Sequence, residues 1–407
     1  MPTARNLFRA TNEGSKFGRT ASAVLEGPTE KLLCGEGRNW ISKTIKRKKH
    51  TVKRKNILKI IGIVLLSLLL LFCVISPFVV QYLFDDIFAH TNRRDPTLTA
   101  SLYYADVDPA AYPREPVSFY SGENLLQGHL YTSGDLDKLV VISHGLGGGE
   151  ESYLSEALYF IDHGFAVLAY SNTGCWESEG KTSVGLSQSV LDLDAALTWV
   201  ESEPRFSDVP IYLYGHSWGG YAVTAVLAYD HNITASASVA GFNDPMTMIM
   251  EWGEGMMGPL VYLEFPFILI NQKLTFGDTL NLTAVDAINS TDTPVLLLHG
   301  DQDETVSYHK AGIIASKAQI TNPNVEYKVC SNENQNGHNN LFVSVDCTDY
   351  VDAKNEEYEA IYEQYDEEVP DEVRREFISK VDKSLANKLD EEFMTTVLDF
   401  YQRSAAR

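Results

Sequence analysis

The sequence predicts an α/β fold: a mostly parallel β-sheet with helices on both faces, a helical cap insertion and one N-terminal transmembrane helix. Short, nearly continuous apolar runs alternate with segments of helical periodicity, a pattern typical of buried parallel strands joined by helices. One such run leads directly into Gly215-His216-Ser217-Trp218-Gly219, which a helical segment follows. A stretch from Ile60 to Phe84 contains no charged residue and predicts the transmembrane helix.

The transmembrane helix is predicted over residues 57–84. The 25 uncharged residues from Ile60 to Phe84 would rise roughly 37 Å as a helix, enough to cross a hydrocarbon core of about 30 Å. This stretch is too long for the apolar core of a cleaved signal peptide. We therefore interpret it as an uncleaved signal anchor rather than as a buried core helix.

Charge is distributed unevenly along the chain. Residues 1–59 carry 15 Lys and Arg against 4 Asp and Glu, whereas the remaining residues carry 18 against 51. Because the basic residues precede the membrane segment, the positive-inside rule predicts that residues 1–56 are a cytoplasmic tail and that the body is extracytoplasmic at the cell membrane. The tail is expected to be largely disordered. The acidic body would repel phosphates, which argues against nucleic-acid binding.

Residues 85–114 are predicted to form a stalk, because Pro96, Pro109 and Pro113 interrupt any long helix. The globular domain then occupies residues 115–407. Its predicted strands are 117–120, 126–131, 139–143, 165–170, 209–214, 234–240, 294–298 and 325–329, of which the first two form an antiparallel hairpin. Its predicted helices are 153–162, 186–200, 221–229 and 389–400.

Two insertions interrupt this alternation of strands and helices. Residues 242–289 hold five of the seven methionines of the chain and follow a sheet strand, so we expect a cap above the carboxyl ends of the strands. Deformable methionine side chains suit apolar ligands, although ordinary packing of a small helical insertion explains them equally well. Residues 346–385 are strongly acidic and predict a solvated helical insertion.

The Gly-x-Ser-x-Gly segment predicts a nucleophile at Ser217. A sharp turn between strand and helix would lift the Ser217 hydroxyl above the strand end, and it would direct the N–H of Trp218 toward the same substrate oxygen. A second N–H for an oxyanion hole is expected from Leu146, since Gly145-Leu146-Gly147-Gly148-Gly149 follows a buried strand and lets backbone approach a substrate closely. This loop lacks the Gly-Lys-Ser/Thr ending of a phosphate-binding loop.

A serine nucleophile needs a general base and an acid that orients the base. Asp301 and Asp303 both follow the strand at 294–298 and both qualify as the acid. Of the two histidines beyond Asp303, His309 falls in a predicted helix directly after the acid, whereas His338 lies in a polar loop after the last strand. His338 is therefore the predicted base.

These motifs together resemble the α/β-hydrolase superfamily over roughly residues 115–403. The resemblance rests on Ser143-His144-Gly145-Leu146-Gly147-Gly148, on Gly215 to Gly220, on His299-Gly300-Asp301-Gln302-Asp303-Glu304-Thr305-Val306, and on Gly337-His338-Asn339. The family's acid motif, His-Gly-x-x-Asp-x-x-Val, falls on Asp303. The resemblance is strongest to membrane-anchored bacterial serine hydrolases of the serine-aminopeptidase, esterase and monoglyceride-lipase-like group, and it implies the α/β-hydrolase fold.

The expected activity is hydrolysis of carboxylic esters with apolar acyl groups, taken from a small-molecule or lipid-like substrate, by a Ser217–His338–Asp303 triad. A peptidase or amidase with the same triad and a non-catalytic anchored module are the alternatives. No cluster of metal ligands and no cofactor-binding signature is present, so neither a metal nor a cofactor is expected. Cys330 and Cys347 either form a disulfide or stay free, and no feature indicates an oligomeric state.

Overall fold

An eight-stranded β-sheet forms the centre of the computed structural model, which describes residues 46–132, 134, 136–365 and 368–406. The predicted tail over residues 1–56 lies mostly outside these residues. The strands are β1 Arg114–Ser121, β2 Asn124–Tyr131, β3 Leu139–Ser143, β4 Ala166–Tyr170, β5 Ile211–His216, β6 Ile233–Val239, β7 Val295–Gly300 and β8 Val325–Cys330. Their order is β1-β2-β4-β3-β5-β6-β7-β8, in which the pairs β1–β2 and β2–β4 are antiparallel and the other neighbours are parallel.

Helices cover both faces of this sheet. They are α1 Lys46–Ile87, α2 Leu154–Asp162, α3 Gln188–Ser202, α4 Trp218–Ala225, α5 Pro245–Met257, α6 Val261–Phe276, α7 Ala284–Asn289, α8 Val345–Gln364, α9 Asp371–Ile378, α10 Lys383–Ala386 and α11 Glu391–Ala405. Successive side chains along each strand point to opposite faces of the sheet, so the core has two parts. On one face Val141 and Leu213 pack with α3 and α4, whereas on the other Val140 and Tyr212 pack with α2 and α11. The predicted α/β fold is confirmed.

Helix α1 has two parts that differ in their surroundings. Every side chain from Asn56 to Leu71 is exposed, whereas Ser76, Val80 and Phe84 are buried against the rest of the protein. The segment Asn56–Ile87, in which a window of 18 residues reaches a mean hydropathy of 3.0, is the candidate membrane span of the described residues.

The segment predicted as a stalk lies against the domain instead of standing clear of it. Phe88 and Tyr103 are buried, and the imidazole of His90 hydrogen-bonds the backbone carbonyls of Gly180 and Trp176. The apolar and aromatic side chains between the prolines provide the contact that the proline pattern alone did not indicate.

The acidic insertion is helical, as the sequence predicts, but it is not solvated on all sides. Helices α8 and α9 pack Tyr358, Phe377 and Ile378 into a small apolar cluster that also includes Ala100. Cys330 and Cys347 are free, and the Cys347 thiol lies 3.2 Å from the carbonyl oxygen of Ala386.

Candidate active site

Ser217 occupies a strained turn between β5 and α4. Its φ of 57° and ψ of −113° lie where side-chain-bearing residues are rare. A Cβ on Gly215 would lie 2.2 Å from the carbonyl oxygen of Gly219, and one on Gly219 would lie 1.8 Å from that of Ser143. Only glycine fits at both flanking positions, which explains the spacing of the motif.

Three side chains from different loops converge at this turn. The Nε2 atom of His338 lies 2.9 Å from the Ser217 hydroxyl oxygen, and its Nδ1 atom lies 2.7 Å from Oδ2 of Asp303. A carboxylate only accepts hydrogen bonds, so Nδ1 carries the imidazole proton and Nε2 accepts from the hydroxyl. The structure thus brings together the three residues predicted from the sequence.

Asp303 is held as a carboxylate. Its Oδ1 accepts hydrogen bonds from the backbone N–H groups of Thr305 and Val306, each at 2.8 Å. Burial would raise the pKa of Asp303, but hydrogen bonds from His299 and His338 outweigh burial and hold that pKa well below its usual range. The contribution of His299, whose Nε2 lies 3.4 Å from Asp303, was not predicted from the sequence.

Asp301 and His309, the other aspartate and histidine considered from the sequence, do not join this hydrogen-bonded group. The Asp301 carboxylate accepts a hydrogen bond from the side-chain amide of Asn336 at 3.1 Å and so supports the loop before His338. His309 is exposed and packs edge-on against Tyr308. The predicted helix around His309 is absent: residues 304–311 form turns.

A buried hydrogen-bond network joins the loops that carry these residues. His216 Nε2 donates to the backbone carbonyl of His338 at 2.9 Å, and its Nδ1 accepts from the Tyr153 hydroxyl at 2.7 Å. The same hydroxyl accepts from the N–H of Gly145 at 3.2 Å. Burial lowers the pKa of His216 to about 3, so the imidazole is neutral and has one donor and one acceptor for this network. The roles of His216 and Tyr153 in this network were not predicted from the sequence.

The geometry of the glycine-rich loop bears on the predicted oxyanion hole. His144, whose pKa burial lowers to about 4, donates from Nδ1 to the carbonyl oxygen of Gly145 at 2.7 Å and accepts at Nε2 from the N–H of Asn172. In a trans peptide the C=O of Gly145 and the N–H of Leu146 point in opposite directions. The Leu146 N–H is therefore turned away from His144. Trp218 is the first residue of α4, where an N–H has no partner within the helix.

A cavity that is partly open to solvent lies beside Ser217. The residues lining it are Gly145, Leu146, Leu186, His216, Ser217, Trp218, Phe242, Trp252, Thr305, Val306 and His338. The cap insertion contributes Trp252 and Phe242 to the wall, whereas Met248 is buried in the core and Met256 and Met257 are exposed. None of the cap methionines is among the described residues that line the cavity, which favours ordinary packing of the insertion over contact with a ligand. Among the described residues, no group of three or more His, Cys, Asp or Glu is placed to hold a metal ion.

Comparison with known proteins gives four points of reference. The family described as "Serine aminopeptidase, S33" matches residues 134–278. A polyketide transferase, grgF, from a Penicillium species is 28% identical over 136 residues, covering 32% of this chain and 46% of that protein. The quorum-quenching protein AidA of Acinetobacter baumannii is 26% identical over 169 residues, covering 40% of this chain and 54% of AidA. The chain thus matches about half the length of these relatives. The Pyrococcus furiosus esterase Pf2001 superposes over 68% of this chain and 97% of its own, with 18% identity and a TM-score of 0.45.

Proposed function

We propose that this chain, which belongs to the α/β-hydrolase superfamily of serine hydrolases, is a membrane-anchored extracytoplasmic esterase that cleaves carboxylic esters with apolar acyl groups. The observation that carries the proposal is the continuous hydrogen-bond chain from the Ser217 hydroxyl through His338 to Asp303. This order of groups can remove the hydroxyl proton as the oxygen attacks.

In the proposed reaction, Ser217 Oγ bonds to the ester carbonyl carbon while Nε2 of His338 takes the hydroxyl proton. Collapse of the tetrahedral intermediate breaks the bond to the alcohol oxygen, and His338 returns the proton to that oxygen. Water then repeats the sequence on the acyl-serine and releases the carboxylic acid. Asp303 stays ionised and stabilises the transient imidazolium.

The negative charge that develops on the carbonyl oxygen needs donors that are already in place. We assign them to the N–H groups of Leu146 and Trp218, residues that line the cavity together with Ser217. The hydrogen bond from His144 to Gly145 fixes the peptide that carries the Leu146 N–H. Each such donor typically contributes about 2.7–4 kcal/mol to stabilisation of the transition state.

The cavity wall favours an apolar acyl group over a charged peptide terminus. Leu186, Phe242 and Trp252 supply aliphatic and aromatic surface. No Asp or Glu is found among the described residues that line the cavity, so a free α-amine would have no anionic partner there. This lining supports ester hydrolysis over aminopeptidase activity.

Membrane anchoring is supported by the composition and exposure of α1. The segment Asn56–Ile87 is strongly apolar, and its side chains from Asn56 to Leu71 are exposed. A helix of this kind is stable in hydrocarbon and unfavourable in water. The basic residues before it support an extracytoplasmic position of the catalytic domain.

The test is labelling of the full chain, in membranes, by a fluorophosphonate probe. Wild type and the surface variant Ser202→Ala should become labelled, whereas Ser217→Ala should not. Labelling of Ser217→Ala, or none of wild type, would contradict the assignment. Matched panels of acyl esters and aminoacyl amides then separate esterase from peptidase, and faster turnover of the amides would refute ester specificity.

A further inference from the structure

Helix α1 packs against helix α6 of the cap insertion within the part of α1 that would span a membrane. The side chains of α1 from Asn56 to Leu71 are exposed, whereas the ring centroid of Phe72 lies 5.6 Å from that of Phe267 in α6. One turn further along, the Ser76 hydroxyl donates to Glu264 of α6 at 3.2 Å. The two helices therefore pack directly against each other.

The length of α1 decides whether this contact lies inside or outside a bilayer. A hydrocarbon core of about 30 Å needs about 20 helical residues. Counted from Ile60, the residue after the last basic side chain, the core extends to Val79. Even when Lys59 extends toward the headgroups and the core begins at Asn56, it extends to Ile75. Phe72 lies inside in both cases, and tilt of the helix moves the boundary further outward.

The pair of cap helices α5 and α6 has an exposed apolar face that is suited to hydrocarbon. Six apolar side chains at the end of α5 and the start of α6 are between 39% and 60% exposed. They are Met256, Met257, Leu260, Tyr262, Leu263 and Phe265, which we call the cap apolar surface. In water such a surface would be costly, whereas in a lipid leaflet it is stabilised.

Polar groups on α6 occur where this arrangement requires them. Glu264 faces α1, where it accepts from Ser76, rather than facing outward. Further along both helices, Asn271 donates to Gln81 at 2.8 Å, close to the charged residue Asp85 at the outer end of the apolar stretch of α1. Polarity thus increases toward the outer boundary on both helices together.

The pair of cap helices α5 and α6 also forms part of the cavity wall. Trp252 lines the cavity and Met256 lies one turn later on the same side of α5. A single helical turn therefore separates the cavity wall from the cap apolar surface. An acyl chain dissolved in the leaflet has a short, apolar route to Ser217.

We propose that the cap apolar surface lies within the outer leaflet of the same bilayer that α1 spans, and that the active site receives acyl esters from that leaflet. The proposal rests on the membrane anchoring given under the proposed function and adds the interacting surface, its lipid partner and the membrane-dissolved class of substrate. The cap is then a second membrane contact of the protein.

Depth-dependent fluorescence quenching tests this placement. The full chain is reconstituted in phosphatidylcholine–phosphatidylglycerol vesicles with an NBD probe on one introduced cysteine, in a background with Cys34, Cys73 and Cys330 replaced by serine. The probe is placed by Leu263→Cys in the cap, Val74→Cys in the exposed part of α1, or Tyr120→Cys on β1, where side chains are 60%, 61% and 67% exposed. Lipids spin-labelled on the acyl chain and aqueous iodide serve as the two quenchers.

The three probe positions separate failure of the inference from failure of the anchoring. The proposal expects quenching by the spin-labelled lipid at Leu263→Cys and Val74→Cys, and quenching by iodide at Tyr120→Cys. Iodide quenching at Leu263→Cys with lipid quenching at Val74→Cys would overturn the cap placement and leave the anchor intact. Iodide quenching at both positions would refute the anchor, and the inference with it.

Substrate delivery has its own measurement. Leu263→Asp should lower the ratio of activity on a vesicle-embedded long-chain ester to activity on a water-soluble short-chain ester by about tenfold or more, since a carboxylate is costly in hydrocarbon. Tyr120→Asp is the matched control and should leave this ratio near that of wild type. An equal ratio in the two variants would contradict delivery from the leaflet.

Discussion

Removal of the Tyr153 hydroxyl tests whether the buried network holds the catalytic loops. The hydroxyl accepts from the N–H of Gly145 at 3.2 Å and donates to Nδ1 of His216 at 2.7 Å. Tyr153→Phe keeps the ring and leaves one buried donor and one buried acceptor without partners. Each unpaired group costs about 1–3 kcal/mol, so we expect the free energy of unfolding to fall by roughly 2–6 kcal/mol.

The same variant should slow catalysis more than it weakens substrate binding. His216 donates to the backbone carbonyl of His338, so loss of its Tyr153 partner loosens the imidazole that must lie against Ser217. A small displacement of a catalytic group costs on the order of 10–100-fold in kcat, whereas KM should change little because Tyr153 does not line the cavity.

The matched control is Tyr159→Phe in α2, the helix that begins directly after Tyr153. The Tyr159 hydroxyl lies 3.4 Å from the Thr395 hydroxyl near the surface, so its loss should cost less than about 0.5 kcal/mol. The assay is guanidinium unfolding of the full chain in detergent micelles, followed by tryptophan fluorescence, with kcat and KM measured on a soluble ester. Equal stability losses in the two variants, or an unchanged unfolding midpoint for Tyr153→Phe, would refute the network.

Three further predictions concern the acid, the turn and a buried carboxyl. Asp303→Asn should lower kcat by about 10³–10⁴-fold, whereas Asp301→Asn should change kcat little in the same ester assay. Gly219→Ala should abolish activity and fluorophosphonate labelling, because the added Cβ would lie 1.8 Å from a backbone oxygen of β3. Gly255→Ala is the control: its added Cβ would have no atom within 4 Å, so this variant should stabilise α5 by about 0.5–1 kcal/mol in unfolding experiments. Burial raises the pKa of Glu156 to about 7, so the folded state keeps the proton and loses stability as pH rises from about 4.5 to 7. Glu156→Gln should therefore be more stable than wild type by up to roughly 3 kcal/mol at alkaline pH and equal to it at acidic pH, measured by unfolding at both.

The sheet and the turn that carries Ser217 could be predicted because both depend on local pattern. The predicted strand Leu139–Ser143 has the observed bounds, since five consecutive apolar or small residues suit a strand buried on both faces. Gly215 and Gly219 identify the turn because their hydrogen atoms are the only substituents that its backbone admits. His338 could be found by its position after the last strand.

Features that depend on contacts between distant segments could not be predicted in the same way. The association of α1 with α6 joins residues about 190 positions apart, such as Gln81 and Asn271. The segment after Asp303 was predicted as a helix, but it forms turns, in which the backbone carbonyl of Val306 lies 2.9 Å from Nε2 of His299 on β7. His216 occupies a variable position of the motif, so nothing in the local pattern indicates that it holds the loop of His338.

The network around the catalytic residues is built from neutral groups, and this determines how it responds to acid. Burial lowers the pKa of His144 to about 4 and that of His216 to about 3, so each imidazole stays uncharged in the folded protein as pH falls below 6.5, where an unfolded chain takes up protons. The unfolded state therefore gains protons first, and the stability that these residues contribute falls as pH drops from about 6.5 toward 3–4. Because both imidazoles remain neutral near pH 7, their hydrogen bonds to Gly145 and His338 persist there, and a change of activity with pH near neutrality must originate in other groups.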